Sequence, residues 1–386
     1  MLTRIEIENY RSLRHVELDM PGLTVLIGPN GSGKSNFLDV FNLMAQAAAG
    51  QFENNLPIDD ILTFRGGKSA LFSFSFEFSF ASERGISYET TPVQYKLVLH
   101  RVGSVKSEQV SQASIPSKTV PLDLMRSDGH KAMFRNMSSK KEEQKELQST
   151  YELAIYQVKD YTAYPIPYKL LNHFENWTFY QPFRVDADAP VRGSQTARSS
   201  IRLLPDGSNL TPVLHTIQSD YPVIWDEICE TLKNVYEGFH HISFPAEGGD
   251  GKIVLRWWER PFEKDYGFSA NLLSDGTLRL LCLLAILKTP NPPPLICIEE
   301  PEIGLHPDWI ELVAELLESA ATRTQVIVAT HSPQLVSYVK PEHVVVVEKE
   351  DGGTTLSRLT ETELAGWLDK FTLGDLWLAG HIGGRP

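Results

Sequence analysis

LTVLIGPNGSGKSNF, from Leu23 to Phe37, is where the reading starts. The run Leu23 to Ile27 has the composition of a short buried strand, and Phe37 to Met44 repeats apolar residues at helical spacing. Between them, Gly28-Pro-Asn-Gly-Ser-Gly-Lys-Ser35 fits G-x-x-x-x-G-K-[ST], and a strand-to-helix setting separates a phosphate-binding loop from a chance glycine-rich turn. The glycines let backbone N–H groups turn inward around phosphates, and the helix start adds partial positive charge. Lys34 is placed to reach the β- and γ-phosphates, and Ser35 to offer its hydroxyl to Mg²⁺. Asn30, Gly31, Gly33, Lys34, Ser35 and Asn36 are therefore the candidate nucleotide-binding positions, with ATP and Mg²⁺ as the expected cofactors.

Three further stretches complete the chemistry. Leu295-Ile-Cys-Ile298 reads as a buried strand that delivers Glu299 and Glu300 at its carboxyl end. Glu299 is expected in the metal shell, and Glu300 is expected to orient or deprotonate the attacking water. Glu302 offers either a third metal contact or a loop residue, and the loop role is expected. Thr330-His331-Ser332 follows the apolar run Val326 to Ala329, which brings His331 to the same sheet edge as a γ-phosphate sensor. Leu273-Ser-Asp-Gly-Thr277 precedes an apolar helix, so Ser274, the Gly276 N–H and the helix start form a second anion site. One ATP does not need two γ-phosphate sites in one chain, which assigns the second to the ATP of a partner copy. Asp275 is a negative charge at that site, and is expected to point away or to cap its helix.

The set GPNGSGKSN, LSDGT, EEPEIGLHP and THS, in that order, resembles the bacterial RecF- and SMC-like AAA ATPases of the ABC superfamily, a group that includes the OLD-type nuclease ATPases. The resemblance covers roughly residues 1 to 100 and 200 to 386, with DGSNL at Asp206 to Leu210 and the closing LWLAGHIGGRP as further echoes. It implies an α/β fold, an ABC-type P-loop head with a parallel core sheet and an antiparallel β subdomain. It also implies a head-to-tail homodimer, or a higher oligomer built from it, with two ATPs sandwiched between P-loop and signature. Lys34 and Ser35 then match Walker A, Ser274 and Gly276 the signature, Glu299 and Glu300 Walker B, and His331 the switch histidine. Leu305 and His306 match the loop that crosses the dimer interface, and Arg11 in Asn9-Tyr-Arg-Ser12 a basic residue near the nucleotide. The Mg²⁺-sensing glutamine of relatives has no unique counterpart among Gln94, Gln109, Gln112 and Gln157.

Around these motifs the chain divides into an N-terminal lobe (1–100), an insertion (101–205) and a C-terminal lobe (206–386). LFSFSFEFSF, Leu71 to Phe80, is expected as a strand with an aromatic core face, and Tyr95 to Leu99 as its antiparallel neighbour. From Ser104 to Gln148 the texture turns to Ser, Lys, Gln and Glu, which reads as solvated helix faces or loop, so the insertion is expected to be mainly helical. It lacks the apolar heptads of a coiled-coil arm. Arg184, Arg192, Arg198 and Arg202 form a loose basic segment, read as an exposed loop or as a surface for phosphate or a partner.

A net charge of −13 argues against global nucleic-acid binding and leaves DNA as a partner only through a local basic patch. Cys229, Cys282 and Cys297 lack metal or redox spacing, which suits thiols in a reducing cytoplasm. The charged alternation of MLTRIEIENYRSL does not fit a signal peptide, and no apolar run is long enough for a membrane span. About 240 residues separate Lys34 from Ser274, more than a transporter's nucleotide-binding subunit is expected to carry. The roughly 55 residues after His331 are too few for a TOPRIM domain. The expected role is thus an ATPase engine of a DNA-directed or anti-phage defence system with a separately encoded, nuclease-like effector, and the alternative is a regulatory ATP sensor with slow turnover.

Overall fold

Ile5 and Ile7 alternate with Arg4, Glu6 and Glu8 along β1 (Leu2–Tyr10), and both isoleucines are fully buried. The computed structural model describes residues 1–51, 71–80, 92–100, 103–113, 121–260 and 267–384. Two compact units emerge, one from Met1–Trp177, Pro341–Glu363 and Gly380–Pro386, the other from Thr178–Lys340 and Leu364–Ala379.

In the first unit β1 pairs with β2 (Leu13–Asp19), and β3 (Leu23–Ile27) runs into helix α1 (Lys34–Ala48) across the glycine loop, as the opening motif predicts. Next come β4 (Leu71–Phe78) and β5 (Val93–His100), antiparallel with Phe76 opposite Tyr95. Phe72, Phe74, Phe76 and Phe78 are all buried, so the alternate aromatic residues are core. Helix α2 (Pro165–Glu175) closes over them, with the Phe76 and Phe174 rings 5.7 Å apart. The intervening serines are buried too, because Ser73 donates to Glu8 and Ser75 accepts from Gln94.

The segment expected to be helical departs from that reading. Residues 105–146 form β6 (Val105–Gln112), β7 (Leu122–Ser127), β8 (Lys131–Arg135) and β9 (Glu142–Glu146). They extend one antiparallel sheet in the order β2-β1-β4-β5-β6-β7-β8-β9. The open edge of β5 supplies backbone partners, and Val110, Leu124, Met125, Ala132 and Phe134 supply just enough buried side chains to hold the polar chain in register. The Lys/Glu run expected on a helix is the outermost strand.

The second unit contains a parallel sheet of β10 (Thr178–Tyr180), β17 (Leu295–Glu299) and β18 (Gln325–Ala329). Between β10 and β17 the chain forms a small sheet of β11 (Gln195–Thr196), β13 (Ala246–Glu247) and β14 (Lys252–Ile253). A second small sheet joins β12 (Phe239–Ser243), β15 (Arg256–Glu259) and β16 (Phe268–Ser269). Helices α3 (Leu210–Asp220) and α4 (Pro222–Val235) precede them. Helix α5 (Asp275–Leu287) is buried along nearly its whole length, consistent with apolar residues all round it. Helix α6 (Ile310–Ala321) links β17 to β18, and α7 (Pro333–Ser337) and α8 (Leu373–Leu378) follow.

Back in the first unit, β19 (Val344–Glu350) runs parallel to β3 and antiparallel to β20 (Gly353–Arg358). No cysteine is paired: Cys282 and Cys297 are buried, and burial pushes the half-buried Cys229 thiol up to about 11. Among the described residues no helix is long and apolar enough to cross a membrane.

Candidate nucleotide site

Helix α1 begins without a side-chain cap, at a left-handed Gly33. Its first N–H groups are therefore left for a ligand. A side chain at Gly28 would meet the Val347 carbonyl oxygen at 2.1 Å, and one at Gly33 would meet Thr354 Oγ1 at 2.2 Å. Both positions need glycine for close approach as well as for positive φ. Lys34 is buried, and its Nζ donates to the Gly28 and Pro29 carbonyls at 2.7 and 3.2 Å. Ser32 Oγ is buried without a hydrogen-bond partner. An open helix start, a lysine held at the loop and an orphaned hydroxyl fit a polyphosphate. Ser35, Asn30 and Gly31 face solvent.

Arg11 and Asn36 hold this loop's support. Asn9 near the end of β1 and Arg11 in the turn to β2 both adopt positive φ. Arg11 pairs with Asp39 of α1 at 3.0 Å, where Asp39 also accepts from the Tyr10 hydroxyl at 2.5 Å. The Asn36 amide donates to Ser12 Oγ at 2.7 Å, and Thr354 Oγ1 donates to the Ser32 carbonyl at 2.7 Å. Both residues, expected to touch nucleotide, thus contact the frame of the loop.

In the second unit Glu299 ends β17, directly opposite Ala329 of β18. Glu300 leaves the strand with φ 47°, and its N–H donates to the Ala329 carbonyl at 2.7 Å. A left-handed glutamate is strained by about 1–3 kcal/mol, the kind of cost found where a side chain must be aimed. His331 follows β18 one residue past the fully buried Thr330. Glu302 is more than the expected loop residue. Thr330 Oγ1 donates to it at 2.5 Å and accepts from the Ser332 N–H at 2.9 Å, while its other oxygen is buried and unpartnered. Burial pushes its carboxyl above the usual carboxylate range.

Where a second anion site is expected, Ser274, not Asp275, caps the helix, its Oγ accepting from the Thr277 N–H at 3.1 Å. Asp275 pairs with Arg192. Gly276 packs so tightly on the loop after β17 that a Cβ would lie 2.8 Å from the Gly304 carbonyl oxygen. Arg279 holds that loop as well, donating to the Ile303 carbonyl at 2.9 Å. His306 is exposed on it.

All four candidate glutamines lie in the first unit. Gln94 and Gln109 bond Ser75 and Asp123 within the large antiparallel sheet, Gln112 is buried there, and Gln157 bonds Glu152. Of the four-arginine segment, Arg184 pairs with Asp186 at 2.8 Å and Arg192 with Asp275. Arg385 and Pro386 of the closing motif lie outside the described residues.

The family described as AAA ATPase domain matches residues 1–182, and the family described as AAA domain, putative AbiEii toxin, Type IV TA system matches residues 164–337. The chromosome partition protein Smc of Methanocaldococcus jannaschii is 36% identical over 74 residues, 19% of this chain and 6% of that protein. The retron Vc95 probable ATPase of Vibrio cholerae serotype O1 biovar El Tor is 32% identical over 81 residues, 21% of this chain and 16% of that protein. The chain thus spans a small part of the curated relatives it matches. The fold is similar to an SmcHead bound to the C-winged helix domain of ScpA, with TM-score 0.57 and 15% identity over 94% of this chain and 99% of that one. It is also similar to an Smc head with an extended coiled coil bound to the C-terminal domain of ScpA from Pyrococcus furiosus, with TM-score 0.51 and 13% identity over 96% and 98%. In the family models that match its two parts, in its motifs and in its fold, the chain is thus similar to the ABC-type ATPase heads of the SMC- and RecF-like kind.

Proposed function

We propose that the chain binds and hydrolyses ATP with Mg²⁺, and does so as a homodimer in which each ATP lies between one copy's P-loop and the other copy's signature. Lys34 and the N–H groups of residues 30–36 hold the phosphates, and Ser35 and Glu299 hold the metal. Bound Mg²⁺ supplies charge neutralisation on the phosphate oxygens. Glu300 receives a proton from the attacking water, and His331 contacts the terminal phosphate.

One observation carries this reading: the chain has two helix starts suited to phosphate, α1 without a side-chain cap and α5 with an exposed Ser274. A single bound ATP leaves the second without a task. The named relatives support a further step, in which dimerisation drives or gates a separate effector chain in a defence or DNA-directed complex. DNA contact would need basic surface beyond Arg184 and Arg192, both of which are engaged internally.

Glu300→Gln is expected to accumulate an ATP-dependent dimer in light scattering, whereas Lys34→Ala stays monomeric and loses nucleotide binding. Monomers for both variants at saturating ATP would sink the sandwich.

A further inference from the structure

Arg192 carries no motif, yet its side chain is only 9% exposed. Nε donates to the Val185 and Asp186 carbonyls at 2.8 and 3.1 Å. Nη1 donates to the Leu273 carbonyl at 2.8 Å and reaches those of Ala270 and Asn271 at 3.3 and 3.4 Å. Nη2 pairs with the Asp275 carboxylate. The side chain thus grips both neighbours of Ser274, while the Gly304 carbonyl presses on Gly276 from its own side.

Two effects follow. Asp275 alone would set an uncancelled negative charge beside a site meant for a phosphate, and Arg192 neutralises it. The planar fork also ties the loop before α5 to one geometry, which a lysine's single ammonium cannot do at several acceptors.

We propose that Arg192 is a positioning residue that presents Ser274 and the start of α5 to the ATP held by a second copy of the chain. It rests on the shared-site reading above, and acts in trans: an Arg192 variant keeps a working P-loop and loses a working signature.

Mixing full-length variants tests this. Lys34→Ala keeps its signature, and Ser274→Arg keeps its P-loop. An equimolar mixture of the two should recover ATPase activity that neither shows alone, up to about half of the wild-type rate, because a mixed dimer has one intact site of two. Arg192→Ala alone should lose roughly tenfold or more in kcat, as misplaced catalytic geometry does, while binding a fluorescent ATP analogue as the wild type does. Mixed with Lys34→Ala it should recover like the control; mixed with Ser274→Arg it should not. Arg192→Lys, which keeps a charge without the fork, guards against misfolding and should behave the same with a wild-type melting curve. Recovery in the control without recovery by Arg192→Ala plus Lys34→Ala overturns the proposal, as does a wild-type rate for Arg192→Lys. No recovery in the control itself overturns the shared site, and the proposal with it.

Discussion

Glu108 is fully buried on β6, accepting from the Tyr95 hydroxyl at 3.0 Å, the Ile155 N–H at 3.1 Å and the Ala154 N–H. Burial outweighs these donors and pushes its carboxyl up to about 7. With the folded pKa above the unfolded one, the folded state holds the extra proton in the window between them. The stability this contributes is present below the window and is lost as pH rises through about 7. Glu108→Gln is expected to flatten urea-derived stability between about pH 4.5 and 7 by about 3 kcal/mol relative to the wild type. An unchanged pH dependence would show that the carboxyl titrates normally. At this scale the residues that sit in motifs were legible as candidates, because phosphate and metal chemistry narrows the choice of side chain. Arg192 was read only as a surface or loop arginine, since bonds to backbone carbonyls leave no trace in the identity of the partner residues.

Among the elements, β4 could be read because Phe recurs at every second position, a period only a strand presents to one face. The strands β6 to β9 could not, since their register comes from neighbouring backbone and only a few apolar side chains. β9 alternates exposed and half-buried residues through Glu-Glu-Gln-Lys-Glu. Charges at a sheet edge oppose pairing with another molecule. Replacing Glu142, Glu143 and Glu146 together with Thr should therefore produce concentration-dependent association in light scattering at neutral pH, with little change in melting of the core. A variant that stays monodisperse at high concentration would deny the strand that protective role.

Across the molecule, the order of motifs was readable but the interleaving of the two units was not, because compactness depends on which distant strands meet. The P-loop strand β3 takes β19 as its parallel neighbour, with Val25 opposite Val344, and Thr354 of β20 bonds to Ser12 and Ser32. A chain ending at Lys340 is expected to lose binding of a fluorescent ATP analogue even though it keeps Lys34, and wild-type affinity in that shortened chain would refute the dependence. The same pairing bears on synthesis. At roughly 5–20 residues per second, β3 leaves the ribosome about fifteen seconds to a minute before Val344 is made. Its exposed edge must wait unpaired through that interval, so the nascent chain acquires a finished phosphate cradle only once Val344 and Thr354 have been made, and a chaperone acting on it would find its substrate before then.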